Sequence, residues 1–156
     1  MTEWINQRFG INLNPDDLES IKDFSLIWNI FENNVCQTNF SIASIEKQLQ
    51  NKNLSLDEFN QLLIYFRNRY VTNGKTNQRF KRLNFRANDK IDLVSDVLLG
   101  QQTDTKKIIL ALVIITYRYR NNLFHGLKDI QVIDQQKDNF DNANRVLTVL
   151  LNHFKN

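Results

Sequence analysis

Residues 104–126 read DTKKIILALVIITYRYRNNLFHG, and this stretch decides the fold. Every residue from Ile108 to Ile115 is apolar. A helix without a polar face must be covered all round, so a helix over about 105–122 belongs at the centre of the molecule. The run is too short to span a bilayer, which takes roughly 20 apolar residues. Asp104 stands where a helix cap is expected, and Gly126 where a helix stop is expected.

Segments that can cover such a helix lie on both sides. Asn14-Pro15-Asp16-Asp17 has the form of a helix start: a capping amide, a proline at the first helical position, and acids at the positive end of the dipole. Leu18, Ile21, Trp28 and Phe31 recur at helical spacing, widened by Phe24 and Ile27, which predicts a helix to about Val35. Ile42, Ile45 and Leu49 predict a short second helix. Ser55-Leu56-Asp57-Glu58 reads as a capping box before the apolar face Phe59, Leu62, Leu63, Phe66 and Tyr70, with Gly74 as its stop. A short helix or loop carries Phe80, Leu83 and Phe85. A helix from near Asn88 carries Ile91, Val94, Val97 and Leu98 and stops at Gly100. A polar loop around Lys128–Asp138 leads to a last helix from about Phe140 to Phe154. The expectation is one all-α domain over residues 1–156, a bundle of about five to six helices.

Composition agrees. Four Gly and one Pro in 156 residues leave little material for the tight turns of a β fold. The one cysteine, Cys36, can form neither an internal disulfide nor a Cys-rich zinc site, and is expected to be a small buried hydrophobe in a reducing cytoplasm. Trp4 and Trp28 are read as packing residues. Met1-Thr2-Glu3-Trp4 lacks the basic stretch and apolar run of a secretory signal. A soluble, cytoplasmic protein without a membrane partner is expected. Neither a phosphate-cradling glycine loop nor a Ser-His-Asp set is visible, and no metal site or cofactor is implied.

Charge is unevenly spread. Residues 67–90 hold eight basic residues and one acid, Asp89, in a chain whose net charge is only +3. Such a segment is either a solvated face or a surface that meets a polyanion. On the second reading Arg79, Lys81, Arg82 and Arg86 contact RNA. Phe80 and Phe85, interleaved among them, are either core residues or platforms on which bases stack.

The central segment ends in Arg118-Tyr119-Arg120-Asn121-Asn122-Leu123-Phe124-His125-Gly126. This string resembles the signature of the HEPN superfamily. There an Arg, usually followed by a polar residue, precedes a His by four to six intervening residues at the end of a core helix. Four residues separate Arg120 from His125, and Asn121 fills the polar position. Arg118 also satisfies the spacing, but Tyr119 follows it, so Arg120 is preferred and Arg118 is assigned an RNA contact. Phe24–Glu32 is similar to the first helix of some bacterial members. The resemblance implies an HEPN-like bundle and a homodimer in which two motifs meet in one cleft. It also implies metal-independent RNA cleavage with Arg120, Asn121 and His125 as site residues. The setting it implies is defence or toxin–antitoxin, with a cognate antitoxin or defence-system protein as a further partner. A non-catalytic HEPN dimer that binds RNA or a partner protein is the other function it allows. Some HEPN toxins carry, two residues after the His, a Tyr that a partner nucleotidyltransferase modifies; that position is Leu127 here.

On an uninterrupted helix His125 would stand about 140° around from Arg120, so the two would not share a face. The helix is therefore expected to end or bend between Asn122 and Gly126.

Overall fold

The computed structural model describes residues 1–37, 39–126 and 129–154, with the backbone alone at 130–132. The described residues form eight α-helices: α1 (Thr2–Phe9), α2 (Pro15–Val35), α3 (Ile42–Gln50), α4 (Asn60–Tyr70), α5 (Gln78–Lys81), α6 (Ile91–Leu98), α7 (Thr105–Phe124) and α8 (Lys137–His153). Two 3-10 segments, Leu56–Glu58 and Ile130–Gln136, precede α4 and α8. The all-α bundle expected from the sequence is what forms. The count exceeds five to six because α1 and α5, of eight and four residues, are short and carry little periodicity.

α7 is the axis. Every residue from Ile108 to Thr116 is buried, and α3, α4, α6 and α8 all pack on it. α2 lies along α8 and places Ile21, Phe24, Trp28, Phe31 and Val35 in the core. Asn14 caps α2 by accepting from the Asp16 N–H at 3.0 Å, and Asp104 caps α7 by accepting from the Lys107 N–H at 3.1 Å. Trp28 packs against Phe31, Phe40 and Tyr117, and its indole N–H donates to Glu32 at 2.6 Å. Trp4 differs from expectation: it is 58 % exposed and meets only the edge of Phe9 on its own helix. Among the described residues no helix is long and apolar enough to cross a membrane.

One turn differs from expectation. α4 ends at Tyr70, and Gly74 is not its stop. Val71–Thr72 (β1) pairs antiparallel with Lys75–Thr76 (β2) across Asn73-Gly74. Both central residues have positive φ, 53° and 75°. That is the demand of the tightest hairpin turn, which Asn-Gly meets at low cost. The hairpin folds the chain back so that α5 packs on α4. Asn77 fixes the return: its amide donates to the Arg69 carbonyl at 2.9 Å and its side-chain oxygen caps α5 at the Phe80 N–H. This reversal brings Arg69 to one pocket with Arg79 and Arg82.

Candidate functional site

α7 stops inside the expected window, two residues beyond Asn122. His125 caps the helix with φ −95°, and Gly126 follows with φ +68°. Among the described residues, apart from its chain neighbours, no atom lies within 4 Å of where a Gly126 Cβ would be, so glycine serves the backbone conformation rather than a close approach. The His125 N–H donates to the Asn121 carbonyl at 2.9 Å. The His125 side chain is exposed.

Arg120 is half-buried. Its guanidinium donates to the Asn121 side-chain oxygen at 3.0 Å and lies over the Phe124 ring, 5.3 Å from the centroid. Phe124 itself is 53 % exposed. Asn121 thus joins the three expected residues: its side chain holds Arg120 and its carbonyl holds His125. Its amide nitrogen is buried without a hydrogen-bond partner, a donor that costs about 1–3 kcal/mol when left unpaired. The Arg120 and His125 side chains are not hydrogen-bonded to each other.

Arg118 must be removed from the RNA-facing set. It is 1 % exposed, donates from Nε to the Leu83 carbonyl at 3.0 Å, and pairs with Asp89 at 2.9 Å. Desolvation holds its pKa below the ordinary arginine value, against the Asp89 carboxylate, which raises it. Asp89 also accepts the Arg86 N–H at 2.8 Å. Asn122 adds to the same seam, its amide donating to the Arg82 and Leu83 carbonyls at 3.3 and 3.2 Å. Arg118, Asn122 and Asp89 therefore tie residues 82–89 to the end of α7. The lone acid in a basic segment is the sequence signal for this clamp.

Arg79, Lys81, Arg82 and Arg86 are all exposed. Phe80 is buried and Phe85 half-buried, with ring centroids 5.1 Å apart, so neither is a free stacking platform. Charge without stacking leaves the phosphate backbone as the feature of RNA this face can meet. On the reading of this segment as a polyanion-facing surface, replacing all four cations with glutamine should weaken RNA binding. It should also lower the salt dependence of affinity by about 0.7 for each phosphate of a single strand that is no longer neutralised. Titrations at several salt concentrations measure both; unchanged affinity and slope return the segment to a solvated face.

Other reactive groups are disposed elsewhere. Burial, with Glu32 nearby, pushes the Cys36 thiol up to about 12, which leaves it a packing group. His153 pairs with Glu58 at 2.7 Å. Tyr70 and Tyr119 share a hydrogen bond in the core, where burial raises both phenols. Among the described residues no three His, Cys, Asp or Glu stand together as metal ligands. Leu127, and the modification position it bears on, lies outside the described residues, as does Lys128. No family model, curated protein or solved structure matches the chain.

Proposed function

We propose that this protein is an HEPN-type endoribonuclease that acts as a homodimer and cleaves RNA by attack of the 2′-hydroxyl on the adjacent phosphodiester. One observation carries the reading: Arg120, Asn121 and an exposed His125 occupy the last turn of the central helix, joined through Asn121. Imidazole can move protons near neutral pH. Arginine remains charged and grips two phosphate oxygens.

Cleavage needs a base for the 2′-hydroxyl and an acid for the leaving 5′-oxygen. One motif offers one His125. Two motifs across a two-fold axis offer two, with two arginines for the phosphate. A partner seated there would also cover the exposed Phe124 ring. Light scattering at micromolar concentration should give twice the 18.5 kDa mass of the chain. A species of 18.5 kDa alone contradicts the composite site. A defence or toxin–antitoxin setting, in the cytoplasm and with a cognate protein partner, follows from the resemblance of the Arg120–Gly126 string.

A second reading has its own support. Within one protomer Arg120 is engaged by Asn121 and Phe124 rather than by His125. That suits a non-catalytic dimer that binds RNA or a protein through the same end. Incubating the dimer with labelled RNA separates the two: fragments that disappear with His125→Ala support the nuclease, and intact bound RNA supports the module.

A further inference from the structure

We propose that Arg69, Arg79 and Arg82 form a phosphate-binding pocket beside the end of α7. The three come from two elements that the Asn73-Gly74 hairpin folds together: Arg69 from the last turn of α4, Arg79 from α5, and Arg82 just after it. They line one pocket with Tyr70, Leu83, Gln136 and Asn139, and among the described residues no carboxylate lines it. Among the described residues none of the three arginines has an ion-pair partner. Three guanidiniums around so small a space repel one another, and an anion between them relieves this.

The far wall is rigid. The Tyr65 hydroxyl donates to the Asn139 side-chain oxygen at 2.6 Å, and the Asn139 amide donates to Gln136 at 2.7 Å. Asn139 is 2 % exposed, so its orientation is set by these partners. Tyr65, Arg69, Arg79 and Asn139 line one adjoining groove, so both cations stand near the same wall. The Arg69 Nε is buried and, among the described residues, has no hydrogen-bond partner. Asp138 lies in the adjoining groove, which Arg69 and Arg79 also line.

Size selects the ligand class. The pocket holds about 100 Å³, well below the roughly 300 Å³ at which pockets for whole small molecules begin. A phosphate group fits, with the remainder of its molecule outside. The Arg82 carbonyl is held by Asn122, so the pocket adjoins the motif turn. It is nevertheless a separate site and needs no cleavage chemistry.

The test is calorimetric titration with inorganic phosphate and with two tetranucleotide RNAs, one carrying a 5′-phosphate and one a 5′-hydroxyl. Arg79→Gln/Arg82→Gln is compared with Lys81→Gln/Arg86→Gln. Each pair removes two exposed cations from the same segment, and only the first touches the pocket. Inorganic phosphate should bind the wild type and the Lys81/Arg86 pair alike, and lose at least about tenfold in the Arg79/Arg82 pair, as expected for losing charge-assisted hydrogen bonds; the tetranucleotides should lose more in the Arg79/Arg82 pair than in the Lys81/Arg86 pair. Preference for the 5′-phosphate RNA assigns a terminal phosphomonoester, and equal affinity for the two RNAs assigns a backbone phosphodiester; both support the pocket. Equal losses in the two double variants, or no saturable binding of any probe, overturns it. A protein that binds phosphate here and cuts no RNA leaves the pocket standing and removes the nuclease reading.

Discussion

His125→Ala is expected to slow RNA cleavage by about 10²–10⁴-fold, the usual worth of a positioned proton-transfer group, with the urea midpoint unchanged. The second half follows from placement. The His125 side chain is exposed, and the bond it makes to the Asn121 carbonyl comes from its backbone, which alanine keeps. Alanine also fits the cap conformation, since φ is negative there. Arg120→Ala should cost about 10²–10³-fold, typical for loss of one group that stabilises transition-state charge, with a small change in stability because its partners are Asn121 and the Phe124 ring at the helix end. Full activity in either variant removes that residue from the site.

Arg118→Met should have the largest effect on stability. Removing one member of a buried ion pair strands the other, at a typical cost of about 3–5 kcal/mol. That is a large part of the roughly 5–15 kcal/mol by which a domain is usually stable. Here Asp89 would be left 6 % exposed and, among the described residues, without an ion-pair partner, keeping the hydrogen bond from the Arg86 N–H. The Leu83 carbonyl is less affected, because Asn122 continues to donate to it. Arg118→Met/Asp89→Leu should recover part of the loss, since an apolar pair of similar volume is often no worse than a buried ion pair. Urea unfolding of the two variants measures this. A loss below about 1 kcal/mol for Arg118→Met, the range of exposed ion pairs, would show that Arg118 is not a clamp. The Arg118 variant is therefore a stability probe and says nothing by itself about phosphate binding.

The bundle is legible where one physical signal dominates. The apolar run Ile108–Ile115 requires a central helix, and the Asn14-Pro15 and Asp104 starts are local chemistry readable without the rest of the chain. The hairpin is obscured because Gly74 also suits a helix stop, although Asn-Gly between Val71-Thr72 and Lys75-Thr76 is a stronger local signal for a two-residue turn. α1 escapes the sequence for a different reason: it buries no residue, so it leaves no apolar stripe to detect.

The site is legible in part. Spacing names Arg120 and His125, and the geometric objection to a shared helix face foretells the stop at Gly126. Spacing cannot separate Arg118 from an RNA-facing role, because its burial depends on residues 82–89, which are distant in sequence and are held on α7 by Asp89 and Asn122. The arginine pocket is illegible for the same reason: Arg69 and Asn139 are 70 positions apart and meet only after the hairpin and α8 are in place.

The most direct measurement uses one RNA made twice, with and without a single 2′-deoxy residue at a mapped cleavage position, and mass spectrometry of the fragments. No acid lies between Lys106 and Lys128, whereas two-metal cleavage needs several convergent carboxylates. On the proposed reading the internal 2′-hydroxyl attacks the phosphorus as its proton passes to a base, the P–O5′ bond to the 3′-side fragment breaks, and the leaving 5′-oxygen takes a proton. Transesterification at the Arg120/His125 turn predicts 2′,3′-cyclic phosphate and 5′-hydroxyl ends, no cut at the deoxy position, and no loss of activity with EDTA. Cleavage at the deoxy position, or 5′-phosphate ends that vanish with EDTA, would contradict it.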